Sequence, residues 1–260
     1  MPLTYGKYLH LDELLAAQQP LSDGPEHDEL LFIVIHQVYE LWFKQILHEL
    51  DRLQVVLEAG DTHHALAGMK RVSTILKTLV APVDIPETMT PTSFSSFRTR
   101  LNTASGFESL QFRLVEFALG HKRESALSHY PVGSPERVQL SERLGEPTLW
   151  DAFARHLAHL GYAVPQEVLA RDVRGAVTPN AEMQQILLAI YRGDALTAQL
   201  CERLVDLDEG LQEWRYRHVK MVERTIGEKP GSGGSSGAQY LRSTLFRALF
   251  PDLWAIRVQL

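Results

Sequence analysis

The sequence predicts an all-α fold, a helical bundle whose long central helices enclose a pocket, with a smaller helical insert. Two observations carry this prediction. Apolar residues recur at helical spacing along several long segments. Alternating β-branched runs closed by tight turns, which would indicate strands, are nearly absent. The 260 residues suffice for one large domain. We therefore expect a single domain over residues 1–260, with the insert at 121–180.

The N-terminal quarter contains one short and one long predicted helix. Residues 8–18 form a short amphipathic piece, and a proline-bounded loop follows it. Asp28 and Glu29 open the long helix, because acidic residues in the first turn match the helix dipole. This helix runs to about Glu58. Its first half is apolar on nearly every side, so we expect a central, buried helix.

Three further helices are predicted before the insert. The first covers about 63–80 and ends before Pro82, which cannot continue a helix. The next lies near 93–101, with Thr90 as part of a capping sequence. Another helix ends at Leu119.

The C-terminal part of the chain contains two more long predicted helices. They cover 181–204 and 206–226, and the insert at 121–180 precedes them, punctuated by prolines. A segment with five glycines follows at 227–237. A last helix begins near Tyr240.

Composition limits the class of protein. Apolar residues make up 45% and charged residues 22%, as in an ordinary soluble globular protein. The formal net charge of −6 leaves no basic excess of the kind that nucleic-acid binders show. With Cys201 as the only cysteine, the chain can build neither a disulfide framework nor a cysteine-ligated zinc site.

No segment indicates a membrane or an export signal. The most apolar stretch, 30–39, has ten residues, whereas a transmembrane helix needs about 20. The first residues lack the charged and apolar regions of a signal peptide. We expect a cytoplasmic protein with neither membrane nor nucleic-acid partners.

His218 is the first candidate for chemistry. It belongs to a stripe at helical spacing that contains Leu207, Leu211, Trp214, His218, Met221, Val222 and Thr225. The stripe predicts that the imidazole faces the interior. One interpretation is a hydrogen-bonded core histidine. The other is an axial ligand of haem iron, because a porphyrin is a large apolar plate. In that case Arg215, Arg217, Lys220 and Arg224 could offset the propionate charges.

His36 is a second inward-facing histidine. It lies within an apolar run, and Phe32 is one turn earlier on the same face. A polar ring in that setting needs a hydrogen-bond partner, because leaving it unpaired costs about 1–3 kcal/mol. His36 is therefore either a satisfied core residue or a distal group that hydrogen-bonds a ligand.

Phe94 and Arg98 are separated by four residues and share one helix face. An aromatic ring and a guanidinium can thus point into one pocket, where arginine is the natural bidentate partner of a substrate carboxylate. The alternative is an ordinary solvated arginine.

The glycine-rich segment 227–237 is either a flexible linker or a mobile lid that holds a polar ligand group. Residues 233–237 match G-x-S-x-G, but that motif requires a preceding strand, and a helix precedes it here. His156 and His159 could share a metal, but no third ligand is evident.

Four motifs together resemble one family. They are HQVYELWFKQI at 36–46, SGFESLQFR at 105–113, RHVKMVER at 217–224, and GGSSG at 233–237 followed by YLRS at 240–243. In this order they resemble the tryptophan 2,3-dioxygenase family. The resemblance runs from Tyr5 to about Pro251 and is weakest between 121 and 180.

The resemblance implies an all-α enzyme with one haem b per subunit, usually a homotetramer. It implies insertion of both atoms of O₂ across the indole C2–C3 bond of L-tryptophan, which gives N-formyl-L-kynurenine. This is the first step of tryptophan degradation through the kynurenine pathway.

The resemblance also implies roles for individual residues. His218 would be the proximal ligand of the haem iron, and His36 the distal catalytic residue near the indole N–H. Phe32 and Phe94 would pack against the indole. Arg98 would pair with the substrate carboxylate.

Further residues would complete the substrate site. Ser232 stands where the family usually has threonine, whose hydroxyl and backbone hold the ammonium and carboxylate groups. Ser105 matches a position near the substrate and a haem propionate. Tyr5, Tyr8 and Leu9 match an N-terminal segment that reaches into the pocket of a neighbouring subunit.

Alternatives from other classes remain. A relative of the same superfamily could add a single oxygen to an indole or an aromatic amino acid. A non-catalytic haem sensor would not need Arg98 or the glycine-rich segment. A helical scaffold without a cofactor would be colourless.

Overall fold

The computed structural model describes residues 2–102, 104–231 and 236–260. The described residues form α-helices joined by short 3₁₀ turns, and they contain no strand. The α-helices are α1 (Tyr5–Leu9), α2 (Leu11–Ala16), α3 (Asp28–Glu58), α4 (Thr62–Val80), α5 (Pro91–Arg98), α6 (Leu110–Leu119), α7 (Pro135–Gly145), α8 (Leu149–His159), α9 (Gln166–Leu169), α10 (Ala181–Gly193), α11 (Ala195–Ile226), α12 (Ala238–Arg242) and α13 (Pro251–Ala255). The all-α prediction is confirmed.

Two long helices, α3 and α11, organise the molecule. Together with α4 and α8 they enclose the main core, in which each helix contributes one apolar face. The most deeply buried core side chains include Ile46, Leu50, Leu53, Leu57, Met69, Leu76, Trp150, Phe153, Leu204 and Leu207. Burial of these large side chains is the main favourable term of folding, at roughly 1.5–3 kcal/mol each.

Helix α3 has the bounds predicted from the sequence, Asp28–Glu58, but its first half is not buried as expected. Leu30, Val34 and Leu41 are 47%, 40% and 54% exposed. The chain has too few elements to cover every face of a helix that extends beyond the core. The opposite face of this half lines a cavity instead, as described below.

The boundary between α10 and α11 differs from the prediction. The break falls at Asp194, and not at Val205. The Asp194 carboxylate accepts hydrogen bonds from the backbone N–H groups of Leu196 and Thr197, both at 3.1 Å, and so caps the start of α11. Nothing near Val205 supplies a cap or a break, and α11 therefore continues for 32 residues.

Residues 121–180 contribute to two packing units. Helix α8 belongs to the main core through Trp150 and Phe153, whereas α7 packs with the end of α6 in a smaller cluster that contains Leu140 and Leu144. His156 on α8 is a satisfied core histidine. Its Nδ1 bonds the Leu57 carbonyl at 2.9 Å and its Nε2 lies 3.0 Å from the Thr62 hydroxyl.

The two ends of the chain are built from short helices. The predicted piece at 8–18 is two helices, α1 and α2, separated by His10 at a φ of 52°. Most of their apolar side chains are exposed. At the other end, the segment near Tyr240 is the short helix α12, and α13 follows after an irregular stretch.

Helix α3 is also long and apolar enough, by length and composition, to cross a membrane, with a mean hydropathy of 1.3 in its most apolar window. This is weak evidence, because a core helix of a soluble protein passes the same test. The second half of α3 packs in the main core.

Candidate active site

A cavity of about 220 Å³ opens beside the core, where the first half of α3 faces the C-terminal part of α11. Helices α5 and α6, the 104–109 segment and the 237–244 segment complete the wall. Most of the wall is apolar.

His218 lies in the wall that α11 provides, as the stripe on this helix predicted. Its ring stacks on Trp214, with ring centroids 5.1 Å apart and planes inclined by 6°. Burial lowers the pKa of His218 to about 4, helped by the positive charges that His36 and Arg113 can carry. The imidazole is therefore neutral at pH 7. Within the described part of the chain, no hydrogen bond to this imidazole is present.

His36 lies in the same wall, on the α3 side. Its Nδ1 is 2.7 Å from the carbonyl oxygen of Phe32. A carbonyl can only accept, so Nδ1 carries the proton and Nε2 is left as an acceptor in the neutral ring. Burial lowers the pKa of His36, and the bond to Phe32 partly opposes this shift.

Aromatic side chains from α3 and α5 form one side of the cavity. The Phe32 ring is 4.2 Å from the His36 ring and 5.7 Å from Phe94, measured between centroids. Met89 and Phe97 pack behind them. The predicted aromatic pair, Phe32 and Phe94, is therefore brought together beside His36.

Polar groups lie at the opening of this aromatic slot. Arg98, one turn after Phe94, lines the cavity and donates a hydrogen bond to the Pro230 carbonyl in the glycine-rich segment. The Ser105 hydroxyl lines the cavity and accepts from the Phe107 backbone N–H at 3.3 Å. A guanidinium, a hydroxyl and an aromatic slot thus face one space.

Three other predicted residues are not brought to this space. Tyr5, Tyr8 and Leu9 lie on α1, with exposed fractions of 76%, 68% and 40%, and do not line the cavity. Ser232 falls outside the described residues. The chain alone therefore assembles only part of the predicted substrate site.

The four cations expected near propionates are bound to carboxylates of the protein. Arg215 bonds Glu116 at 2.7 Å. The other three make ion pairs away from the wall: Arg217 with Asp84 and Glu87, Arg224 with Glu87, and Lys220 with Glu223. Of the four, only Arg215 lines the cavity.

The cavity wall contains a buried ionic cluster that was not predicted from the sequence. It consists of Glu116 and the guanidinium groups of Arg113, Arg123 and Arg215. The spacing of Arg113 and Glu116, three residues apart on α6, was the available signal. Nothing in the sequence indicated that Arg123 and Arg215 converge on the same carboxylate.

The donor set fits haem better than a metal held by protein ligands alone. Among the described residues, no group of three or more His, Cys, Asp or Glu side chains could hold a metal ion. A single neutral imidazole in an apolar cavity suits a group that brings its other iron ligands with it. His218 meets that requirement.

Comparison with known proteins identifies the relatives of this chain. The family model described as tryptophan 2,3-dioxygenase matches residues 1–134 and 146–260. Proteins named tryptophan 2,3-dioxygenase from Herpetosiphon aurantiacus and Anaeromyxobacter sp. strain K are each 59% identical to it, covering 99% and 98% of this chain and 98% and 95% of their own. One from Caulobacter vibrioides is 45% identical over 99% of this chain and 98% of its own. The chain belongs to the tryptophan 2,3-dioxygenase family.

Proposed function

We propose that this protein is a haem-dependent dioxygenase that converts L-tryptophan and O₂ to N-formyl-L-kynurenine, the first step of tryptophan degradation through the kynurenine pathway. One observation supports this above all others. A single apolar cavity combines an unpartnered neutral imidazole, His218, with an aromatic slot and the Arg98 guanidinium. Family membership and relatives at 59% identity support the same activity.

His218 is the proposed proximal ligand of the haem iron. A ligand imidazole must be neutral, and burial keeps this one neutral at pH 7. The stacked Trp214 ring restricts the orientation of the imidazole. The activation of O₂ is the chemistry that haem b, one per subunit, supplies when it is bound.

The aromatic slot and its polar opening are the proposed substrate site. Phe32 and Phe94 would pack against the indole ring, which would lie in the cavity. Arg98 would bind the carboxylate, exchanging its present bond to Pro230 for a bidentate pair. Ser105 and Ser232 would bind the polar end of the amino acid. An amino-acid substrate needs such a combination of an apolar slot and charged groups.

His36 is the proposed distal residue. Its Nδ1–H donates to the Phe32 carbonyl, which leaves Nε2 as the atom able to accept the indole N–H. We assign His36 a hydrogen-bonding and steering role, and not that of an obligatory base. His36→Ala should then slow turnover while haem and tryptophan still bind. Complete loss of turnover with both still bound would require a larger role.

The proposed assembly is a cytoplasmic homotetramer. The N-terminal segment with Tyr5, Tyr8 and Leu9 would enter the pocket of a neighbouring subunit, which is consistent with its exposure in the single chain. The exposed apolar face of α3, with Leu30, Val34 and Leu41, would also be covered in the assembly.

A spectroscopic experiment tests the proposed function. Purified protein reconstituted with haem should show a haem spectrum that changes on addition of L-tryptophan. With O₂ and a reductant, mass spectrometry should find a product that has gained two oxygen atoms. One added oxygen would favour a monooxygenase, and a haem spectrum without turnover would favour a sensor. A protein that takes up no haem would refute the proposed dioxygenase together with these two alternatives.

A further inference from the structure

Glu116 is a buried carboxylate that lies in the wall of the cavity rather than in the main core. It is 1% exposed. Three guanidinium groups bind it: Arg113 at 2.6 Å, Arg123 at 2.8 Å and Arg215 at 2.7 Å. These opposite charges hold the pKa of Glu116 at about 2, against the effect of burial. The carboxylate therefore stays ionised throughout the physiological pH range.

Each of the three arginines also holds a second part of the cavity wall. Arg113 donates to the Phe107 carbonyl at 3.3 Å, Arg123 to the Tyr240 hydroxyl at 3.2 Å, and Arg215 to the Thr244 carbonyl at 2.9 Å. Phe107, Tyr240 and Thr244 all line the cavity. One carboxylate thus connects three points of the wall through three cations.

These points belong to two segments that border the proposed substrate site, which we term the rim segments. The first is 104–109, which contains Ser105. The second is 237–244, which directly follows the glycine-rich segment. The Phe107 and Tyr240 rings meet edge to face, with centroids 5.0 Å apart, and so join the two rim segments directly.

The cluster carries a free-energy cost, from unsatisfied donors and excess positive charge, that a simple ion pair would avoid. The Nε–H groups of Arg113 and Arg215 are buried and have no hydrogen-bond partner among the described residues. Three guanidinium groups also share a single carboxylate. Unsatisfied groups of this kind in a native protein call for an explanation, and a site where geometry matters more than stability is one.

We propose that Glu116 is a positioning residue for substrate binding, which holds the two rim segments in place through Arg113, Arg123 and Arg215. This inference rests on the proposed function, because it assigns the rim segments to the tryptophan site. Glu116 itself need not touch the substrate. Its effect should fall on the affinity for tryptophan more than on the uptake of haem.

Glu116→Gln tests the proposal, because it removes the charge and retains the size of the side chain. We expect the haem-loaded variant to bind L-tryptophan about 10- to 100-fold more weakly, judged by the haem spectral change, since small misplacements of a binding site have effects of this size. KM should rise more than kcat falls. Amide hydrogen exchange should accelerate in the rim segments and not in α8.

Glu49→Gln is the matched control. Glu49 is also buried and ion-paired, with Arg71 at 3.1 Å, but it lies on α3 outside the cavity wall. This variant should leave the tryptophan affinity and the exchange of the rim segments unchanged. If Glu116→Gln matches Glu49→Gln in both measurements, the proposal is wrong.

Arg123→Met provides a second test should Glu116→Gln fail to fold. Arg123 is the outermost of the three arginines, and its loss removes the connection to Tyr240. We expect the same changes on a smaller scale, with partial recovery in Arg123→Lys. An Arg123→Met variant with wild-type tryptophan affinity would overturn the proposal. If the wild-type protein shows no response to tryptophan, the proposed function fails, while exchange in the rim segments still reports on Glu116.

Discussion

The two ends of α3 and α11 differ in what covers them. In the closed half of the molecule, Leu50 on α3 and Leu204 on α11 are fully buried by protein side chains. In the open half, Phe32 and His36 on α3 and His218 on α11 face the cavity. Both halves carry apolar side chains on these faces. An apolar helix face therefore indicates burial, but not whether protein or a bound group provides it.

Three inward-facing histidines show the same difference. His156 in the closed half bonds both ring nitrogens to protein groups. His36 bonds one, to the Phe32 carbonyl. His218 makes no hydrogen bond among the described residues, and its ring stacks on Trp214. The number of hydrogen-bonded ring nitrogens therefore falls from His156 to His218, toward the proposed cofactor site.

Replacement of His218 should have the largest effect of all. His218→Ala should weaken haem binding more than about 100-fold, because even residues that only support a metal ligand contribute 10- to 100-fold. Titration of the apoprotein with haem measures this effect. His64→Ala, at an exposed histidine of α4, is the control. If His218→Ala binds haem as tightly as the wild-type protein, the open half does not differ from the closed half by holding the haem.

Leucine truncations on α3 should separate the halves by stability. Leu50→Ala should lower the free energy of unfolding by about 2–5 kcal/mol, because Leu50 is fully buried in the core. Leu41→Ala should change it by less than about 0.5 kcal/mol, because Leu41 is 54% exposed. Denaturant unfolding of the apoprotein measures both. Equal losses would show that the open half is already buried, in an assembly that persists without haem.

Much of the fold could be predicted from the sequence, because its determinants are local. Asp28 and Glu29 mark the start of α3, and Thr90 caps α5 as expected. The break at Asp194 was missed, since a single capping aspartate is a weaker signal than a proline. Exposure of the first half of α3 could not be predicted, because it depends on which surfaces the other elements cover.

From residue spacing alone, the candidate site could be predicted only where its residues share a helix. His218 follows from a stripe within α11, and Phe94 and Arg98 from their spacing on α5. The Glu116 cluster joins α6, α11 and the segment after α6. Such long-range convergence is a property of the folded chain, so no local pattern announces it.

His121, beside the Glu116 cluster, should make stability depend on pH. Its Nε2–H donates to the Arg247 carbonyl, and burial together with the charge of Arg215 lowers the pKa of His121 from 6.5 to about 4. The unfolded chain therefore binds a proton more readily between these values. Stability present above about pH 6.5 should be lost progressively as the pH falls to about 4, by up to about 3 kcal/mol.

Thermal unfolding between pH 4 and 7 measures this dependence. His121→Gln should give a flatter profile than the wild-type protein, because its side chain does not titrate. The other buried histidines with lowered pKa values, His36, His156 and His218, contribute in the same direction and should remain in the variant. A profile as steep as that of the wild type would show that His121 has no part in it.

Removal of one partner of His156 should have a small effect. His156 donates from Nδ1 to the Leu57 carbonyl, so Nε2 must accept from the Thr62 hydroxyl. Thr62→Val leaves that nitrogen unsatisfied and should lower the free energy of unfolding by about 1 kcal/mol. Haem uptake should not change. A loss of haem affinity would show that the closed half is coupled to the cavity.

The burial of Cys201 has a practical consequence. This side chain is fully buried on α11, and its surroundings raise the thiol pKa to about 12. Thiol-specific reagents react only with accessible, ionised sulfur. A cysteine introduced at an exposed position would therefore be the sole site of labelling, so dyes or spin labels can be attached at chosen points without first removing the native thiol.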